Sequence, residues 1–369
     1  MTPIDITLVA GARPNFMKIA PLIRAFGKRA GKVRHRLVDT GQHSDPGMNR
    51  IFFEELGIPE PDTRLEAGGS THAEVTARVM VAMERELTEH PAHGVLVVGD
   101  VNSTLAAAIT AKKLQRVLIH VEAGLRSFNR MPEEINRVLT DHITDVHFSV
   151  TDVSTANLLR EGISGPRVEQ VGDVMYDCAL QMAEVAERRS HALETFGVEP
   201  GKFVLCTVHR ANNTDDPKRL QCLMEGLDLL AQHLPVVLPL HPRTRSRVEA
   251  LGFKPKSPNF KIVDPIGYID IVRLERAAAV IVTDSGGVQR EAFFHKVPCV
   301  TFRDETEWTE LVDSGWNVLA PLDDPEKFKD ICLSRVGTRG TPKEHYGNGD
   351  AGEKIAATLV KMPQMTFKR

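Results

Sequence analysis

Residues 94–121 read GVLVVGDVNSTLAAAITAKKLQRVLIHV. Gly94–Val98 is short and almost wholly apolar, and it stops at Gly99-Asp100. Asn102 or Ser103 then offers a side-chain oxygen to cap a helix, and a second apolar run follows at Val117–Val121. Strand, helix, strand in this order predicts a parallel pair joined by a right-handed crossover.

The same alternation extends in both directions. Upstream, strands are predicted at Ile4–Ala10 and Arg34–Asp39, and downstream at Val146–Ser149. A second series covers Phe203–Thr207, Pro235–Leu240, Phe260–Val263, Ala279–Thr283 and Cys299–Phe302. Helical stretches such as Pro14–Gly27, Ala73–Glu89 and Asp216–Gln232 lie between them. The alternation breaks over residues 172–202, where Val174–Arg189 reads as one long helix followed by a Gly- and Pro-containing segment. A hinge near Gly172–Asp173 therefore divides a first domain, 1–172, from a second, 173–349. A helix at about 350–369 is expected to pack back on the first. At 369 residues the chain suits two domains of roughly 150–180 residues each.

Hydrophobic residues make up 42% and charged residues 26%, the balance of an ordinary globular protein. The formal net charge of −3 gives no reason to expect nucleic acid or an anionic membrane as partner. An anion site must be built locally. No apolar run approaches the ~20 residues that span a bilayer, and the N-terminus lacks a signal-peptide pattern. These features predict a cytoplasmic protein. The five cysteines are scattered and form no CxxC pair, so they read as reduced core residues. No metal site is evident, because no HxxxH stands near a carboxylate and no DxDxDG loop occurs.

Ligands of open α/β sheets bind outside the carboxyl ends of the strands, so the polar residues there are the candidates. The first strand runs into Gly11-Ala12-Arg13-Pro14, then a helix carrying Lys18. Pro14 suits a first helical turn, and a helix start with two cations suits phosphate. Asp100 follows the strand ending at Val98. Glu122 follows Val117–Val121 directly, an expensive place for a carboxylate unless it has a partner or a job. Met131-Pro132-Glu133-Glu134-Ile135-Asn136-Arg137 opens another helix, with Glu133 and Arg137 four apart on one face. If Asp100, Glu122 and Glu133 converge, repulsion would separate their titrations into an acid and a base. His209-Arg210 and His241-Pro242-Arg243-Thr244-Arg245 end two strands of the second series. Thr283-Asp284-Ser285-Gly286-Gly287 joins a strand to a helix whose early turns carry Glu291. That turn can offer N–H groups to a phosphate, and the glutamate can take a ribose diol.

Taken together, GARPNFMK, TGQHSD, VGDVNST, HVEAGLRS, MPEEINR, HRANNTDD, HPRTR and TDSGGVQREA resemble the non-hydrolysing UDP-N-acetylglucosamine 2-epimerases, from Gly11 to about Leu319. The resemblance implies two Rossmann-like domains with parallel sheets in the glycosyltransferase-B arrangement, and an active site in the interdomain cleft. It implies a UDP-sugar substrate, a homodimer and no redox cofactor. Arg13 and Lys18 match the family's phosphate-side basic residues. Asp100, Glu122, Glu133, Arg137 and His209 match its catalytic and sugar-side residues, and Ser285, Gly286, Gly287 and Glu291 its UDP-binding segment. Three positions depart from the pattern. Many members carry TERPE where this chain has Thr306-Glu307-Trp308-Thr309-Glu310, an aromatic position is Ile271, and the QHRQ-like segment tied to allosteric activation reads Gln42-His43-Ser44-Asp45. GQHSD, GDVMYD, HRANNTDD and DETEWTEL look closer to the branch acting on UDP-2,3-diacetamido-2,3-dideoxy-glucuronate. The rival expectations are a glycosyltransferase of the same fold and a non-catalytic UDP-sugar sensor.

Overall fold

The computed structural model describes residues 3–42 and 53–362, with the side chain of Arg13 excepted. His43, Ser44 and Asp45 of the allosteric-type segment, and residues 363–369 of the expected terminal helix, lie outside the described residues. The chain forms two compact units. One comprises Met1–Cys178 and Glu344–Arg369, the other Ala179–Lys343.

The first unit is built on a seven-stranded parallel sheet in the order β3-β2-β1-β4-β5-β6-β7. Its strands are β1 (Ile4–Ala10), β2 (Val33–Asp39), β3 (Thr63–Arg64), β4 (Gly94–Val98), β5 (Val117–Ala123), β6 (Val146–Ser149) and β7 (Val168–Gln170). Its helices are α1 (Arg13–Gly27), α2 (His72–Glu89), α3 (Asn102–Lys113), α4 (Pro132–Ile143) and α5 (Asp152–Arg160). Every residue of β4 is buried, as expected of a parallel strand covered on both faces. β3 and β7 are short, half-exposed edge strands, too short for an apolar run to announce them.

Several strand ends shift by a residue from the predicted bounds, and the end of β5 shifts by two. β5 does not stop at Val121 but runs to Ala123, and its pairing with β6 slips between Val121 and Ala123. Glu122 sits in that bulge with φ +74°. Bulges re-aim side chains at sheet ends, and this one sets the direction of a carboxylate.

The long helix α6 (Val174–Arg189) begins in the first unit, and the division between units falls inside it rather than at Gly172–Asp173. Its first turn is bound to the returning C-terminal segment. Asp173 N–H donates to the Tyr346 carbonyl at 3.0 Å. Asp177 accepts from the N–H groups of Ala351 and Gly352 at 3.2 and 2.8 Å, at the start of a later helix, Ala351–Lys361. That helix buries Ile355, Ala356 and Leu359 and approaches α1 closely. A Cβ on Gly352 would lie 3.0 Å from the Pro21 carbonyl oxygen.

The second unit holds a six-stranded parallel sheet, β10-β9-β8-β11-β12-β13. Its strands are β8 (Val204–Thr207), β9 (Val236–Pro239), β10 (Phe260–Val263), β11 (Val280–Thr283), β12 (Cys299–Thr301) and β13 (Asn317–Leu319). Along β8 the side chains alternate between two cores. Val204 and Cys206 pack with Leu223, Leu227 and Phe328, while Leu205 joins Leu193, Leu274 and Ala292. This is the period of two that a pleated strand imposes. The helices of this unit are α7 (Ala192–Phe196), α8 (Ala211–Thr214), α9 (Pro217–Leu230), α10 (Pro242–Ala250), α11 (Tyr268–Ala277), α12 (Gly286–Phe294), α13 (Thr309–Asp313) and α14 (Pro325–Arg335). Ala351–Lys361 is therefore α15. All five cysteines are buried. Among the described residues no helix is long and apolar enough to cross a membrane.

Candidate active site

In the first unit the chemistry gathers at the carboxyl ends of β4 and β5. The register pairs Val98 with Val121, so Gly99-Asp100 and Glu122 leave the sheet side by side. Glu122, 6% exposed, forms an ion pair with Lys18 of α1. The partner that a buried carboxylate demands is thus the lysine that the sequence reading offered to phosphate. Space for the pair depends on Gly99. A Cβ there would stand 2.7 Å from Lys18 Nζ and 3.4 Å from Glu122 Oε2. Asn15 fixes the start of α1, accepting from Gly11 and Ala12 N–H and donating to the Val98 carbonyl, all at 3.2 Å.

Helix α4 closes on the same strand ends. Arg137 reaches Asp100 at 2.5 Å and Glu134 at 3.1 Å, and Asn136 donates to the Asp100 carbonyl at 2.8 Å. Sequence spacing suggests a Glu133–Arg137 surface pair, whereas Arg137 turns inward to Asp100. Glu134 accepts from Ser127 and Phe128 N–H at 2.9 and 3.0 Å, and so holds the loop before α4. Burial alone would raise the Glu134 carboxyl, but those N–H groups, the Ser127 hydroxyl and Arg137 outweigh it and hold the group below its ordinary range. Glu133 is different. Its Oε2 is buried with no hydrogen-bond partner among the described residues. Two of the three carboxylates carry a cation, and the third keeps an unused oxygen.

In the second unit the candidates leave β8 and β11, adjacent in the sheet. Asp284 is fully buried and organises them. It accepts from His209 N–H at 3.2 Å, Arg210 N–H at 3.1 Å and Asn213 Nδ2 at 3.0 Å, and it pairs with His209 Nδ1 at 3.1 Å. Burial would raise the Asp284 carboxyl. The hydrogen bond and charge of His209, with Asn213 and the Arg210 amide, prevail and lower it. The ring of His209 is thus tethered at one nitrogen while its side chain is 60% exposed. In the sequence alone Asp284 stands out only as part of a turn.

Ser285 caps α12, accepting from Val288 N–H at 3.4 Å. Gly286 has no room for a side chain, since a Cβ would lie 2.4 Å from Glu307 Oε1. Glu307 is in turn paired with Arg303 at 2.9 Å. Glu291 is 4% exposed and accepts from the Tyr268 hydroxyl at 3.0 Å. Beside it Glu275 is pushed far up by burial and by the Glu291 charge. Trp308, at the position of the family's arginine, is buried, and Arg290 of α12 lies over its ring at 4.1 Å. His241 accepts from Arg243 N–H at 3.4 Å and so caps α10.

Two parallel α/β units, one ending in cation-paired carboxylates and the other in a tethered histidine and a Ser-Gly-Gly helix start, are the parts of a nucleotide-sugar enzyme of the glycosyltransferase-B type. A family model described as UDP-N-acetylglucosamine 2-epimerase matches residues 26–360. A Pseudomonas aeruginosa protein named UDP-2,3-diacetamido-2,3-dideoxy-D-glucuronate 2-epimerase is 44% identical over 363 residues, 97% of this chain and 100% of that one. The UDP-N-acetylglucosamine 2-epimerase of Methanocaldococcus jannaschii is 39% identical over 365 residues, covering 97% of this chain and 99% of that one. A crystal structure of the Methanocaldococcus enzyme in complex with UDP-GlcNAc and UDP matches with a TM-score of 0.87 at 38% identity, over 96% of this chain and 99% of that chain. The chain belongs to the UDP-N-acetylglucosamine 2-epimerase family, whose members are isomerases.

Proposed function

We propose that this enzyme inverts C2 of a UDP-linked 2-acetamido sugar, converting UDP-GlcNAc to UDP-ManNAc or acting in the same way on a more substituted relative. The C2 hydrogen is not alpha to a carbonyl, so direct deprotonation would be slow. Breaking the C1–O bond to UDP builds oxocarbenium character and acidifies C2–H. Loss of that proton leaves a 2-acetamidoglucal and UDP. A proton delivered to the opposite face of C2, with UDP returning to C1, gives the epimer. No net oxidation occurs and no proton is lost overall.

The carboxylates beside β4, β5 and α4 suit this chemistry. Glu122 and Asp100 are ion-paired with Lys18 and Arg137, and Glu133 offers a buried oxygen with no hydrogen-bond partner among the described residues. That arrangement is the observation that carries the reading, since a proton must be taken from one face of the ring and returned to the other. His209, Arg13 and the N–H groups of Ser285–Gly287 would hold the departing diphosphate, and Glu291 the ribose. The glycosyltransferase reading loses ground, because a transferase needs one base rather than three carboxylates.

A second substrate reading has its own support. The 44% identity to the diacetamido-glucuronate 2-epimerase extends over the whole of that protein, so UDP-2,3-diacetamido-2,3-dideoxy-glucuronate is the alternative substrate. Both nucleotides offered in parallel, with products separated by anion-exchange chromatography, decide between them. Asp100→Asn, Glu122→Gln and Glu133→Gln should each reduce turnover by roughly 10²–10⁴-fold with UDP affinity held within several-fold. A variant at full activity removes its residue from the scheme. A cytoplasmic homodimer completes the proposal, and light scattering at working concentration tests the dimer.

A further inference from the structure

Behind Glu122 lies a buried group of charges that the reaction scheme does not use. His120, two residues earlier on β5, is fully buried. Its Nδ1 is 2.7 Å from Asp141 Oδ1, and its Nε2 is 2.9 Å from the Gly99 carbonyl oxygen. The ring thus bridges the Asp141 carboxylate and the Gly99 carbonyl, one at each nitrogen. Asp141, on α4, uses its second oxygen to accept from Gly124 N–H at 3.0 Å and from Arg126 Nη1 at 2.8 Å. Arg126 continues to Glu161 in a bidentate pair at 2.7 Å. Gly124 is further gripped through its carbonyl by Asn157 Nδ2 at 2.9 Å.

The backbone shows what this group holds. Glu122, Gly124 and Gly99 have φ of +74°, +82° and +67°. Glycine adopts such angles freely, but glutamate does not, and the conformation persists only where the surroundings enforce it. The hydrogen bonds of Asp141 and His120 fall on Gly124 and Gly99. Gly124 lies two residues after Glu122 in the chain, and Gly99 directly precedes Asp100 just beyond the neighbouring strand β4.

We infer that Asp141 and His120 are positioning residues, a cross-brace that fixes the strained turn at Glu122 against the end of β4 and so sets Glu122 relative to Asp100. Both side chains are fully buried. The inference rests on the proton-transfer reading above. It predicts that loosening the brace slows chemistry and leaves nucleotide binding alone. The fold contains its own control. At the opposite end of β5, Asp145 accepts from Leu118 N–H at 2.8 Å and pairs with Lys112 at 2.7 Å. That link ties a helix to the same strand, far from the carboxylates.

The test compares Asp141→Asn, His120→Gln, His120→Asn and Asp145→Asn in the full chain. Gln keeps a donor near the Nε2 position and Asn one near Nδ1, so the two His120 variants cut the brace at different bonds. If Asp141→Asn does not fold, the His120 pair still answers. Asp141→Asn and His120→Gln should lower kcat by roughly 10–100-fold, the cost of a sub-ångström misplacement. KM and the Kd for UDP should stay within threefold. Asp145→Asn should keep kcat within twofold even where its melting temperature falls. Wild-type kcat in the brace variants, or an equal kcat loss in Asp145→Asn, overturns the inference. A wild type inactive on both nucleotides would count against the proposed reaction, and amide exchange then decides on the brace without substrate. Protection of the Gly124 amide should drop at least tenfold in Asp141→Asn and persist in Asp145→Asn. Unchanged protection in Asp141→Asn refutes the brace.

Discussion

Gly99→Ala puts a single methyl group where the site has none to spare. Gly99 has φ +67°, so alanine there costs about 1–2 kcal/mol in backbone strain. The methyl would also arrive 2.7 Å from Lys18 Nζ and 3.4 Å from Glu122 Oε2. Ordinary contact needs about 3.4 Å or more, so the ammonium must retreat by roughly 0.7 Å. A displacement of that order at reacting groups costs about 10–100-fold in rate. Gly162→Ala separates the two effects, because Gly162 has φ +80° and nothing within 4 Å of its would-be Cβ. Urea unfolding should show a similar stability loss in both variants, while steady-state epimerisation should fall only in Gly99→Ala. Equal turnover in the two variants would refute the claim that the Lys18–Glu122 pair is held by that space.

Two further outcomes concern pH. Burial pushes the Asp177 carboxyl up to about 6, despite the Gly352 and Ala351 N–H groups that pull it down. A folded-state value above the unfolded one means stability present below about pH 4 and lost as pH rises through about 6. Moving from 3.8 to about 6 corresponds to about 3 kcal/mol, so Asp177→Asn should flatten stability between pH 4 and 7 in urea titrations. Asp284 runs the other way. Its folded value is depressed, so it stabilises the fold above about pH 4, and that contribution is lost as pH falls through the folded value. Asp284→Asn should cost about 2–3 kcal/mol at pH 7 and weaken the acid limb of the stability curve. An unchanged acid limb would contradict the assignment.

The long strands were legible because parallel strands buried on both faces read as unbroken apolar runs. β3, β7 and β13 escaped because two or three residues at a sheet edge leave no pattern. Asp100, Glu122, His209 and Ser285 could be proposed from position alone, since each lies within two residues of the end of a predicted strand. Their partners could not. Lys18 and Glu122 are 104 residues apart, and His209 and Asp284 are 75 apart. Such pairings depend on the strand order β1-β4-β5 and β8-β11, which local sequence does not encode. Arg137 shows the reverse error. Helical spacing offers Glu133, but the strand end supplies Asp100 at 2.5 Å. Trp308 is a loss in the motif, and its ring is covered by the Arg290 guanidinium from another helix.

Proton NMR of the purified enzyme in D2O tests the central claim most directly. UDP-GlcNAc and the diacetamido-glucuronate nucleotide are supplied in separate tubes. Epimerisation through a glucal requires the C2 proton to leave and a solvent deuteron to take its place. At least one nucleotide should therefore develop a second anomeric signal, with deuterium at C2 of both epimers. Retention of the C2 hydrogen on both sugars, with no new anomeric signal, would contradict the proposed reaction and favour a transferase or a binding protein.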